Sequence, residues 1–325
     1  MKNGILTVSL DFELYWGLRD KKTIAEYEEN LNGVKRSIER MLDVFHKYDI
    51  HATWATVGFL FAKDIEELKA LSPVKKPIYL NNNLNPYAYI ENNKVLDARY
   101  HFTPELIEKI SKYRNQEIAT HTFSHYYCLE DGQTQSEFNS DIESAIKIAK
   151  TKGLSIESLI FPRNQWNDSY LPDLCKHGIN SYRGNEKSWL YKAVDETQEN
   201  LVRRALRLLD AYINLSGANS YSIDSINNIK PYNIPSSRFL RPVSKKLAVF
   251  EGLRKRRIVN AIKKAARNNE IFHLWWHPHN FGGSIDENIE FLESILFAYS
   301  EMNKTYGMKS LNMKEISKLI AEKEI

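Results

Sequence analysis

Residues 116–125 read QEIATHTFSH, and the reading of the fold starts there. The stretch Gln116–His121 has the length and composition of a short buried strand. It delivers two histidines, His121 and His125, to its C-terminal end. Their i, i+4 spacing brings both imidazoles to one point if the chain turns helically after the strand. Working outward, the same kind of run recurs: GILTVSLDF at 4–12, HATWATVGF at 51–59, SLIFP at 158–162, GINSYRG at 178–184 and IFHLWWH at 271–277. Helical patterns fill the intervals, over 23–48, from Asp64, from Thr103-Pro104, over 136–150 and over 170–177. Two more follow, from Asp286 and from Met313. Strands alternating with helices predict parallel β/α units, and this many of them in one chain predict an α/β protein closing as a barrel. The Asn-rich 81–93 reads as loop.

The chain has 325 residues, 42% hydrophobic and 26% charged, with two cysteines, Cys128 and Cys175. That excludes a disulfide scaffold and a disordered chain, and fits a reducing compartment. No linker divides it, so residues 1–325 read as one catalytic domain, with insertions near 64–102 and 186–250. The N-terminus has no signal-peptide pattern and no apolar run reaches membrane-span length, so a cytoplasmic protein is expected. The net charge of +4 does not call for nucleic acid. It is uneven, however: nine basic residues and one acid, Glu251, fall within 245–267. With Leu247, Phe250, Leu253, Ile258 and Ile262, this segment reads as a partly amphipathic helix. Its cationic face is either merely solvated or made for a diphosphate or an anionic membrane, with Arg254, Arg256 and Arg257 as the capturing residues.

In parallel β/α folds the chemistry gathers at C-terminal strand ends. Here those ends carry Asp11 and Glu13, whose spacing of two points both carboxylates one way, then His121 and His125, Arg163 and Asn164, and Trp276, His277 and His279. Arg183 closes the fifth strand, where it could reach a sugar or a phosphate. Alone, each has a plain structural reading: Asp11-Phe12-Glu13 as a surface turn, Arg163 as an ion-pair partner, His273 as a satisfied core histidine. Together, two histidines and a carboxylate form the ligand set of a catalytic zinc with one position left for water.

These residues resemble the polysaccharide deacetylases, the NodB-homology carbohydrate esterases. VSLDFE is similar to that family's first motif, His121-Thr122-Phe123-Ser124-His125 to its second, FPRNQ to its third and LWWHP to its last. The resemblance implies a distorted parallel (β/α) barrel and a divalent metal, zinc by expectation, held by Glu13, His121 and His125. It makes Asp11 the general base, Arg163 its orienting ion-pair partner and His277 the general acid. Asp210 would orient His277, with Asp173, Asp195 and Asp286 as alternatives. Arg183, Asn164, His279 and Trp276 are the expected substrate contacts. The implied reaction removes an N-acetyl group from an amino sugar in a cytoplasmic surface-polysaccharide precursor, whether a sugar nucleotide or a lipid-diphosphate-linked sugar. Competing readings are a formamide or cyclic-ureide amidohydrolase, a glycosidase using Asp11 and Glu13, and a non-catalytic carbohydrate-binding relative. Two departures stand out: Phe12 separates the acids of the first motif, and Pro162 precedes Arg163 where the family has Arg-x-Pro.

Overall fold

A computed structural model describes residues 3–93, 95–192 and 201–323. Nine strands form one sheet: β1 (Ile5–Phe12), β2 (Ala52–Thr56), β3 (Gln116–Thr120), β4 (Ser158–Ile160), β5 (Ser181–Arg183), β6 (Tyr232–Asn233), β7 (Arg238–Phe239), β8 (Ile271–Trp276) and β9 (Lys309–Ser310). The order is β6-β5-β4-β3-β2-β1-β8-β7, with β9 also on β1, and every ladder is parallel. The sheet curls into the expected distorted (β/α) barrel. All six strands read from the sequence are present. The 186–250 span contributes the two short end strands β6 and β7 to the sheet, so it is more than an excursion.

Helices follow the sequence closely, with local corrections. The 23–48 pattern divides at Gly33 into Ile24–Asn32 and Val34–Tyr48. A Cβ on Gly33 would lie 2.2 Å from the Gly282 carbonyl oxygen, so the break is where two backbones meet. Thr103 precedes the helix Pro104–Lys112 but makes no side-chain cap; Pro104 at the first turn starts it. Within the Asn-rich stretch, Asn85 accepts from the Tyr87 and Ala88 amides and caps the helix Pro86–Asn92.

Side-chain alternation along the strands sorts the barrel into two faces. Leu6, Val8, Leu10 and Phe12 of β1, with Phe272, Leu274 and Trp276 of β8, face outward into the main core beneath the helices Val34–Tyr48, Glu251–Asn268 and Ile285–Tyr306. The opposite set faces inward. At the N-terminal end of the strands it is apolar: Ile5 and Ile271 belong to one cluster with Met313, Ile316 and Ile320 of the closing helix Met313–Ala321, and Ala55, Ala119 and Ile160 extend that cluster up to the level of Asp11 and Arg183. Toward the C-terminal ends the inward residues become Ser9, Asp11, His273 and Arg183, all buried. The apolar plug closes one end, so the polar groups collect at the other.

Candidate active site

β1 ends in Asp11 and, just beyond it, Glu13; both are buried. Arg183, fully buried at the end of β5, grips Asp11 with both branches of its guanidinium, Nη1 to Oδ1 at 2.7 Å and Nη2 to Oδ2 at 2.8 Å. The same guanidinium donates to Ser9 Oγ (3.0 Å) and Asn164 Oδ1 (2.7 Å) and lies over the Trp275 ring at 4.1 Å. Burial pushes the Asp11 carboxyl up, but Arg183, helped by His121, more than offsets this and holds it below its ordinary range.

Glu13 Oε2 lies 2.9 Å from His125 Nε2 and 3.4 Å from His121 Nε2. Burial again raises the carboxyl, and His277, His121 and His125 together bring it well below the usual value. Gly17 leaves room for it: a Cβ there would fall 2.0 Å from Glu13 Cδ. The two histidines converge without a helix. Thr122 (φ 64°) and His125 (φ 59°) both take the left-handed conformation, so the loop doubles back sharply. Asp141, from the helix Gln135–Thr151, holds it by accepting from the amides of Phe123 (2.6 Å) and Ser124 (3.1 Å) and from Ser124 Oγ. Burial raises the Asp141 carboxyl to about 7 despite these bonds. Gly58 lets the loop approach, since a Cβ there would meet Phe123 Cα at 2.7 Å.

A divalent ion fits this group. One donor atom from each of Glu13, His121 and His125 lies within 4.8 Å of the others. The His121 Nδ1 proton goes to the Ile160 carbonyl (2.8 Å), which leaves the Nε2 lone pair buried, without a hydrogen-bond partner, and directed at Glu13. Burial also lowers the His125 pKa to about 4, keeping that imidazole neutral, as a ligand must be.

His277, a quarter exposed, faces both carboxylates: Nε2 is 3.6 Å from Glu13 Oε1 and 3.9 Å from Asp11 Oδ2. Its other nitrogen meets Asn280 Nδ2 at 3.5 Å, and Tyr27 fixes that amide by donating to Asn280 Oδ1 at 2.8 Å. His279 is buried beside Glu13 (3.9 Å) and edge-on to Tyr27; burial, then His277, lower its pKa to about 3.

Several expected roles move. Arg163 does not meet Asp11; after Pro162 the chain turns through left-handed Arg163 and Asn164, sending Arg163 to Asp20 and Glu130 and Asn164 to Arg183. The ion-pair reading of Arg163 alone describes it, and Arg183 stands where Arg163 was expected. Asp210 is fixed by Arg238 (2.6 Å), Arg257 (2.8 Å) and Tyr191 (2.6 Å), and the neighbour of His277 is Asn280. Among the alternatives, Asp173 bonds Gln135, Asn139 and Lys176, and Asp286 pairs with Arg36 and Arg40 on the surface; Asp195 lies outside the described residues. Trp276 points outward, stacked on Phe281, whereas Trp275 faces the site and sits edge-on to His277. Strand parity with His273 and His277 already distinguishes the two tryptophans.

The acid pair Asp11 and Glu13, the first clamped by Arg183 and the second beside two histidines, thus gathers at one end of the (β/α) barrel. Residues 32–182 match the polysaccharide deacetylase family. No curated protein matches it. A Mycobacterium smegmatis structure assigned as a polysaccharide deacetylase superposes with a TM-score of 0.63 at 11% identity, over 100% of this chain and 93% of that one. A similarly assigned Pseudomonas aeruginosa structure gives 0.52 at 9% identity, over 97% and 89%. The 4-alpha-glucanotransferase of Thermococcus litoralis gives 0.51 at 12%, over 97% of this chain and 38% of that one. At these identities the structural likenesses describe the fold.

Proposed function

We propose that the protein is a metal-dependent N-deacetylase of an amino sugar, with Glu13, His121 and His125 holding the metal. What carries the reading is the presence, around one point, of that donor set, the clamped Asp11 and the partly exposed His277. A divalent ion, zinc by the donor set, would polarise the acetyl carbonyl and acidify a water. Asp11, kept ionised by Arg183, accepts the water's proton. Asn280 donating to Nδ1 leaves a proton on His277 Nε2, aimed where the two carboxylates face. His277 can therefore hand it to the departing nitrogen, a poor leaving group without protonation. Trp275 and Phe239, in contact at 4.6 Å and both edge-on to His277, supply an aromatic wall for a sugar ring.

The substrate in this reading is a surface-polysaccharide precursor bearing phosphate. Arg241 supports the phosphate. It lies two residues beyond Phe239, half-buried and with no carboxylate partner among the described residues; burial lowers its pKa, and Arg207 and Arg254 add to that. An anion there would relieve the repulsion. Arg254 and Arg257, expected to take part in capture, are buried against Glu251 and Asp210 instead.

The test is acetate release from an N-acetylated sugar diphosphate and from the free sugar, with and without a chelator. Chelator-sensitive acetate release abolished by Asp11→Asn is the expected result. Formate release from a formamido sugar without acetate release would redirect the assignment, and metal-independent turnover would refute it.

A further inference from the structure

The helix Leu201–Tyr212, LVRRALRLLDAY, is turned inside out. Two of its polar residues face the protein: Arg203 donates to the carbonyls of Leu190 (3.1 Å) and Trp189 (3.2 Å), and Asp210 is wholly buried among Arg238, Arg257 and Tyr191. Its apolar residues face outward, with Leu201 78%, Val202 69%, Leu208 40% and Leu209 43% exposed. A surface helix that had only to pack would show the reverse. The apolar surface continues onto the next segment: Tyr212 meets the Phe250 ring at 6.2 Å, and Phe250, Leu253 and Val249 are 46%, 44% and 85% exposed.

Charge decides what this surface suits. Arg204, Lys245, Lys246, Lys255 and Arg256 are exposed along the same two segments, with no ion pair among the described residues. The acids between 201 and 268 are Asp210, Asp224 and Glu251, and each is already paired, with Arg238 and Arg257, with Lys323 and with Arg254. The unpaired charge is therefore all cationic. A second copy of the chain docked symmetrically would set these cations against themselves. An anionic bilayer would take both features, the leucines and Phe250 at the acyl boundary and the cations among the headgroups.

We propose that Leu201–Tyr212 and residues 245–256 form a peripheral docking surface for anionic membrane. It lies within reach of the catalytic end, because residue 245 is six residues beyond β7 and Phe239 of β7 is part of the wall beside His277. A substrate carried on a lipid would thus be met where it is held.

The experiment is flotation of the full chain with phosphatidylcholine vesicles, with or without roughly a third phosphatidylglycerol. Binding is expected only with the anionic lipid, weakening as salt rises. Each neutralised cation should lower partitioning about fivefold, so Arg204→Ala, Lys245→Ala and Lys246→Ala together should lower it by about a hundredfold. Leu208→Ser with Phe250→Ser should abolish it at an unchanged melting temperature. The proposal is overturned by wild type that ignores anionic vesicles, by a triple variant that binds equally well, or by a solution dimer that Leu208→Ser dissociates. Turnover of a soluble N-acetylated sugar should be unaffected by these exposed substitutions, so docking and catalysis fail separately.

Discussion

Replacing Arg183 with methionine isolates the grip on Asp11. Neither partner is accessible, with 0% and 4% of their side chains exposed, and both Asp11 oxygens are bonded to the guanidinium. Methionine leaves a buried carboxylate with no counter-charge, a loss that typically costs about 3–5 kcal/mol. The chain can escape only by protonating Asp11, whose carboxyl Arg183 now holds down against burial. Arg183→Met should therefore lose about 3–5 kcal/mol at neutral pH by urea unfolding, with part of it regained on acidification as Asp11 takes up a proton. The double variant with Asp11→Asn should be more stable than Arg183→Met alone, because no uncompensated charge remains. In activity, Arg183→Met should move the acid limb of the kcat profile upward while metal content is retained. Arg163→Met, which breaks contacts to Asp20 and Glu130, should leave that limb in place. A loss under about 1 kcal/mol for Arg183→Met, the range of an exposed pair, or a double variant no better than the single, would refute the reasoning.

Gly17→Ala would put a Cβ 2.0 Å from Glu13 Cδ, so it should displace that carboxylate and lower metal occupancy while circular dichroism is unchanged. His121→Ala and His125→Ala should each do the same, read by metal analysis of the purified chain. Burial lowers the pKa values of His125, His273 and His279 to about 4, 3 and 3, from an ordinary 6.5. Their contribution to stability is thus whole above pH 6.5 and lost as pH falls toward those values. The loss amounts to about 2 kcal/mol each at pH 5, and His273→Gln should flatten the acid slope of urea unfolding by one such step. Asp141→Asn replaces one acceptor oxygen with an N–H facing donors, and should cost about 1–3 kcal/mol and loosen the His121–His125 loop.

The long strands were readable because each is buried on both faces, giving apolar runs bounded by polar turns. β6, β7 and β9, with two residues each, are too short to carry a period, and only the sheet's neighbours define them. Asp11, Glu13, His121 and His277 were readable from the strand-end rule combined with alternation. The same two rules point to Arg183 and Trp275, inward-facing on β5 and β8; following motif order instead led to Arg163 and Trp276. Asn280, Tyr27 and Asp141 had no local signal. Tyr27 lies 253 residues from Asn280, and Asp141 lies 17 residues beyond Ser124.

Backbone conformation explains why the motif's spacing misled and why the site still forms. Nine non-glycine residues among those described have positive φ. Four lie away from the site, and all are Asn or Asp: Asp49, Asn115, Asn219 and Asn269, types that tolerate this region. The other five, Leu14, Thr122, His125, Arg163 and Asn164, follow the strand ends around the cluster. Only one of these is of a tolerant type, and such positions cost of order 1–3 kcal/mol each unless their surroundings over-determine them. Here the surroundings do: Asp141 binds two successive amides of the His121–His125 loop, Thr122 Oγ1 accepts from the Tyr126 amide at 2.7 Å, and Asn164 is bonded to Arg183. The strain therefore sits where the donor atoms must converge. It does so because on a plain continuation of β3 His121 and His125 would share a face yet stand about 13 Å apart, too far to meet at one point.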